Sequence, residues 1–164
     1  MLGEGGGGFK PLPRLLLIGD GADKPRIQAA IRQFGVQDQC ILPGVQSDIG
    51  TWLQAMDVFC LSSDTEGTSI SLLEAGAAGL PSVVTDVGGN PEVVIDGESG
   101  IVVPRGDAAA LSRALVRLMR DSGERAAFGQ SAARRVQAEY SMRRMADAYI
   151  SVYESAVARR CNRR

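Results

Sequence analysis

Along the first hundred residues the apolar positions switch repeatedly between a short-run and a helical pattern. "RLLLIGDG", from Arg14, is a short apolar run stopped by glycine, the mark of a buried strand. "DKPRIQAAIRQFGV" then places Ile27, Ala30, Ile31 and Phe34 at helical spacing, with Gly35 to close the helix. "QCILPG" predicts a second strand, and "SDIGTWLQAMD" a short helix with Ser47 as its N-cap. "DVFCLSS" is a third strand and "SISLLEAGAAG" a helix ended by Gly79. "PSVVTDVGG" is a fourth strand, a short helix starts over Pro91 to Ile95, "DGES" turns, and "GIVVP" is a fifth strand. Strands alternating with helices predict a parallel sheet covered on both faces. Right-handed crossovers make it a doubly wound, Rossmann-like α/β sheet of about five strands.

After Pro104 the period changes. "DAAALSRALVRLMRD", "GERAAFGQSAARRVQAEY" and "SMRRMADAYISVYESAVARR" predict three consecutive helices, with Asp107, Ser122 and Ser141 at the N-cap positions. The start, "MLGEGGGGFKPLP", has no periodicity and reads as a flexible lead-in. The expected organisation is a lead-in over 1–13, an α/β core over 14–104, and helices packed on the same domain over 105–164.

Composition narrows the chemistry. The 164 residues are 45% hydrophobic, enough for a core, and carry a formal net charge of −1. No global field attracts nucleic acid, and the arginine pairs Arg134-Arg135, Arg143-Arg144 and Arg159-Arg160 read as solvated helix faces. The chain has no histidine, which removes His-based triads, bases and zinc sites. Its three cysteines, Cys40, Cys60 and Cys161, are far apart and form no CxxC, so no metal set or disulfide framework is expected; Cys40 and Cys60 read as core positions. No apolar run reaches membrane-span length and no signal peptide is visible, so the cytoplasm is the expected compartment.

The chemistry-bearing stretch is "EGTSISLLEAGAAGLPSVVTDVGGNPE", with Glu66 and Glu74 eight positions apart and a second glycine turn at Gly88-Gly89. In an open parallel sheet, ligands bind beyond the carboxyl ends of the strands. The loops at 62–69 and 86–90 and the "GDG" turn with Gly19 and Gly21 all belong at that edge. Gly67 lets backbone approach a ligand. Thr68, Ser69, Ile70 and Ser71 open a helix whose free N–H groups and dipole suit a diphosphate. Glu74 would accept hydrogen bonds from a ribose diol and Glu66 from a second polyol beyond the phosphates, which outlines a nucleotide sugar. Plainer readings stand beside these. Ser71 and Glu74 also fit a capping box. Glu66 fits an exposed loop acid, and Gly88-Gly89 a tight turn. "GDG" lacks the third glycine of a dinucleotide fingerprint.

The ordered set of Glu66, Glu74, "GLP", "VVTDVGG" and Glu92 resembles the donor-binding signature of retaining GT-B glycosyltransferases, family 4, group 1. The resemblance extends through "LLLIGDG", "ILPGVQSDIGTWLQAMDVFCLSS" and "DGESGIVVPRGDAAAL" to Tyr140-Ser141-Met142 and Tyr149 to Tyr153, about residues 14–155. It implies that Glu66 contacts the donor sugar near the reacting carbon and that Glu74 holds the ribose. It places the diphosphate on the segment from Gly67 to Ser71, and the nucleobase near Gly44 and Val45. Gly88 and Gly89 complete the donor site. Two parts of the family pattern are not found: the strand and helix carrying an Arg and a Lys-Gly that neutralise the leaving diphosphate, and the N-terminal acceptor domain. Gly76 also stands where a larger apolar residue is usual.

The resulting expectation is the donor-binding half of a polysaccharide-biosynthesis glycosyltransferase. It would use a nucleotide-diphosphate sugar as donor substrate, with no cofactor and no metal, and be inactive alone. The alternatives are a non-catalytic nucleotide-sugar binding module, a truncated remnant and a sugar-nucleotide epimerase domain. A missing first strand predicts either direct pairing of Leu15 to Ile18 with Val58 to Leu61 or completion of the sheet by another segment or partner chain. Oligomers or poor solubility follow from the second case.

Overall fold

A computed structural model describes residues 12–161. The chain divides into two compact units, Met1–Ile49 and Gly50–Arg164. The first holds β1 (Leu15–Ile18), α1 (Lys24–Phe34), a 3-10 turn (Gln37–Gln39) and β2 (Cys40–Gly44). β1 and β2 pair in parallel, Leu15 with Cys40 and Leu16 with Ile41. Pro25 presets φ at the start of α1, and Gly35 ends it in the left-handed region at φ 67°, where its N–H reaches the carbonyl of Arg32. None of the described residues in this unit is fully buried; Phe34 on α1 is 73% exposed.

The second unit carries α2 (Ile49–Gln54), β3 (Phe59–Leu61), α3 (Ile70–Ala77), β4 (Ser82–Thr85), α4 (Asn90–Val93) and β5 (Gly100–Val103). Three helices follow, α5 (Ala108–Arg120), α6 (Ser122–Glu139) and α7 (Met142–Cys161). The strand order is β3-β4-β5, all parallel. β4 is central and all four of its residues are buried, with two adjacent valines at its middle rather than an apolar-polar alternation. Adjacent side chains point to opposite faces. Val83 packs with Val103, Ala114, Leu118 and Phe128, and Val84 with Leu72, Val93 and Val94. The sheet thus has a core on each face.

The expected alternation is present with five strands, but not as one sheet. β1 ladders with β2, and β3 with β4, so the strands form groups of two and three. The direct pairing expected between Leu15 to Ile18 and Val58 to Leu61 is not among the ladders. Among the described residues, the paired edge of Leu15 to Ile18 faces β2 and that of Phe59 to Leu61 faces β4. Residues 1–11, most of the lead-in, lie outside the described residues. Cys60 is exposed on the terminal strand β3 and Cys40 half-buried, so neither is the core residue their apolar neighbours suggest.

Helix ends follow side-chain chemistry. Asp107 accepts from the N–H of Ala110, as expected. α6 is capped by Asp121, which accepts from Glu124 N at 2.8 Å, and Ser122 is already helical. The aspartate one residue earlier wins because its carboxylate also favours the positive helix start. Ser47 lies one residue short of the capping position of α2, which begins at Ile49. Asp121→Ala should cost about 1 kcal/mol of stability by denaturant unfolding and Ser122→Ala less than about half of that; equal losses would contradict the assignment.

α6 lies close against α3. A Cβ on Gly76 would meet Val136 Cγ2 at 2.7 Å, and one on Gly129 would overlap the carbonyl of Gly79. Gly76 is therefore fixed by helix contact. None of the described side chains of α7 is buried. Met142, Met145, Tyr149, Val152 and Tyr153 recur at helical spacing and are each 47% to 75% exposed.

Candidate functional site

The loop after β3 runs into α3, and its shape is set by caps. Ser69 is extended and its hydroxyl accepts from Leu72 N at 3.4 Å. The first main-chain helical bond runs from Leu73 N to Ser69 O. The amides of Ile70 and Ser71 therefore precede the intrahelical ladder and point out of the helix start. Ser71 Oγ lies 3.0 Å from Ser69 Oγ. Thr68, Ile70 and Ser71 are exposed and Ser69 is buried. This geometry replaces the capping box considered for Ser71 and Glu74. The cap is Ser69, its partner is Leu72, and Glu74 stands exposed on α3 with no closing role at the helix start.

Glu66 is half-buried, and Ser63 Oγ donates to its Oε1 at 2.7 Å. It is thus not a free loop acid. A Cβ on Gly67 would meet no atom within 4 Å, so this glycine answers no packing need within the described chain. The second glycine turn does. Gly88 has φ 52°, and a Cβ there would overlap the carbonyl of Glu66. Gly89 donates to Gly67 O at 2.9 Å, and its Cβ would fall 2.9 Å from that same oxygen. The two glycine-bearing turns are one object: the second has no side chains because the backbone of the first crosses it.

The remaining candidates sit in the first unit. Gly19 N donates to Gly44 O at 2.9 Å, joining the ends of β1 and β2. Both glycines have positive φ, and Val45 beside them is 77% exposed. Between Gly19 and Gly21, Asp20 accepts from Lys24 Nζ at 2.7 Å and from Gly21 N at 2.8 Å. The Lys24 hydrogen bond, with the Gly21 amide, holds the Asp20 carboxyl below its ordinary 3.8, so this tie is lost only as pH falls through that lowered value. The structure therefore brings together Glu66, Gly67, Thr68, Ser69, Ile70, Ser71, Gly88 and Gly89, with Glu74 one turn along the same helix. Gly19, Gly21, Gly44 and Val45 form a second group within their own unit.

Several supports carry no signal in the sequence spacing. Thr85, at the end of β4, donates to Ser63 O at 2.7 Å. Arg105 pairs with Asp64 at 3.1 Å across the tips of two loops. Asn90 is fully buried and its Nδ2 donates to Thr85 O at 3.1 Å. Arg135 and Tyr140 both donate to the carbonyl of Glu92, closing the C-terminal end of α4. Among the described residues no group of three or more His, Cys, Asp or Glu side chains is placed to hold a metal ion. No helix of the described residues is long and apolar enough to cross a membrane.

The sequence pattern of the family described as "Glycosyl transferases group 1" matches residues 10–135. The chain belongs to this family. It is 33% identical over 134 residues to the lipopolysaccharide core biosynthesis mannosyltransferase LpcC of Rhizobium leguminosarum bv. viciae, covering 82% of this chain and 38% of that protein. The fold is similar to the C-terminal domain of a group 1 glycosyl transferase, LpcC, from Francisella tularensis, with TM-score 0.74, 27% identity, and coverage of 80% of this chain and 72% of that one. It is also similar to Anabaena Alr3699/HepE, solved in complex with UDP, with TM-score 0.84, 20% identity, and coverage of 88% and 42%. The chain spans less than half the length of the curated relatives it matches. Its α/β architecture, parallel strands and closing helices are those of the GT-B neighbours.

Proposed function

We propose that this group 1 chain is the donor-binding half of a retaining glycosyltransferase. The enzyme moves a sugar from a nucleotide-diphosphate donor to an acceptor hydroxyl in polysaccharide biosynthesis. The observation that carries this reading is the start of α3. The Ile70 and Ser71 amides open outward, Thr68 and Ser71 add exposed hydroxyls, and Gly67 leaves open space beside them. Such a start binds a diphosphate through N–H groups and the helix dipole. In the transfer step the bond from the anomeric carbon to the diphosphate breaks, the new bond forms to the acceptor oxygen on the same face, and the acceptor hydroxyl's proton passes to the departing diphosphate oxygen. Negative charge grows on the departing diphosphate, and donors aimed there stabilise the transition state more than the ground state. Glu66 orients the sugar by accepting from its hydroxyls, and Glu74 accepts from the ribose diol.

The other half of the enzyme, whether a further domain or a partner chain, supplies the acceptor site. The uncovered apolar face of α7 supports such an arrangement, because exposed patches of this kind mark contact surfaces. The cytoplasm, where nucleotide sugars are made, is the proposed site of action.

Calorimetry with UDP, GDP and ADP, and with UDP-glucose, GDP-mannose and ADP-glucose, tests the reading. Glu74→Ala should weaken the bare nucleotide about tenfold, the loss of one or two hydrogen bonds to a charged group. Glu66→Ala should leave the bare nucleotide unchanged and weaken only the sugar nucleotide. Equal loss of the bare nucleotide in both variants would refute the separate roles.

A further inference from the structure

The carboxylate proposed to meet the donor sugar is held by a short relay. Thr85 is 4% exposed at the end of β4, the most buried strand of the sheet. Its hydroxyl donates to Ser63 O at 2.7 Å, with Leu61 O a longer second acceptor at 3.4 Å. That bond ties the loop after β3 to the buried end of β4. Ser63 in turn donates its own hydroxyl to Glu66 Oε1 at 2.7 Å. Gly88 and Gly89 press on the backbone of Glu66 and Gly67 from the other side. A free glutamate loses much rotamer freedom when it is fixed. Here the hydrogen bond from Ser63 already restricts that freedom.

We propose that Ser63 is a positioning residue that presets Glu66 for the donor sugar, with Thr85 fixing the backbone of Ser63. Serine occupies Oε1, and the other carboxylate oxygen is left to accept from a sugar hydroxyl. The loop then arrives in its binding geometry without rearrangement, so contact energy goes to the sugar instead of to ordering the side chain. Thr85 and Ser63 touch neither the sugar nor the phosphates; they act through Glu66. This inference rests on the donor-site reading of Glu66, and the test separates the two.

Calorimetry on the full chain compares Ser63→Ala, Ser63→Thr and Glu66→Gln. The probe is whichever nucleotide and matching sugar nucleotide of the panel above binds the unmodified chain. Ser63→Ala should weaken the sugar nucleotide about three- to tenfold and leave the bare nucleotide unchanged, the scale of one hydrogen bond to a charged group. Ser63→Thr, which keeps the hydroxyl, should retain most of the affinity. A general structural role for Ser63 would instead move both probes together, and that result overturns the proposal. If Glu66→Gln loses the sugar-dependent affinity while Ser63→Ala behaves as the unmodified chain, the relay is wrong and the donor site stands. If Glu66→Gln changes nothing, or no probe binds, the donor reading of Glu66 falls and the relay with it.

Discussion

Gly88→Ala should unfold the junction of the two glycine turns, whereas Gly67→Ala should leave the fold intact and remove nucleotide binding. At Gly88 the backbone is left-handed, which costs an alanine about 1–2 kcal/mol. The added methyl also overlaps the main-chain oxygen of Glu66, which cannot swing aside as a side-chain tip can. The combined loss should exceed about 2 kcal/mol. The backbone of Glu66 and Gly67 would be displaced with it. Gly67 meets neither constraint, since a methyl there reaches no atom within 4 Å. Its replacement should shift stability by less than about 0.5 kcal/mol. The methyl would, however, fill the space proposed for the diphosphate. Denaturant midpoints and calorimetry with UDP, GDP and ADP give both readings for each variant. A stable Gly88→Ala chain would show that the second turn can move away freely. Unchanged nucleotide affinity in Gly67→Ala would place the diphosphate elsewhere.

Leu72→Ala and Leu118→Ala should each cost about 2–5 kcal/mol, by loss of buried area and by leaving a cavity. Both side chains are essentially inaccessible to solvent, at 1% and 0% exposure. They sit on opposite faces of the sheet, Leu72 with Val84, Val93 and Val94, and Leu118 with Val83, Val103, Ala114 and Phe128. Either loss is a large fraction of the roughly 5–15 kcal/mol that stabilises a typical domain. The two differ in consequence. Leu72 lies in the first turn of α3, so its cavity also loosens the helix start proposed for the diphosphate. Leu118→Ala, one layer away, should lower the thermal midpoint with little change in nucleotide affinity at temperatures where the chain remains folded. Equal weakening of binding by both would mean that the site responds to overall stability and not to the seating of α3.

The pattern of apolar positions determined the elements almost residue by residue. Every expected strand and every expected helix from Arg14 onward is present, because the switch between short runs and a helical period is a local property of the chain. The glycine at the end of α3 was equally legible, since a left-handed residue there needs no Cβ. The ordered motif from Glu66 to Glu92 pointed to the family that the matched residues 10–135 show. Tertiary structure decided the rest. Sequence cannot say which strand edges find a partner, so one expected sheet became ladders of two and three strands. It could not distinguish a cap by Ser69 from a capping box at Ser71 and Glu74, because a hydroxyl precedes a possible helix start at either serine and only the observed start at Ile70 separates them. Amphipathic spacing in α7 predicts an apolar face but not whether anything covers it. Glu66, Thr85 and Gly88 all lie in the legible motif, but nothing in its spacing says that they meet one another or Ser63. Their roles arise when the end of β4 brings a hydroxyl and a pair of glycines against the loop after β3, a contact written in the packing of the sheet and not in any local spacing.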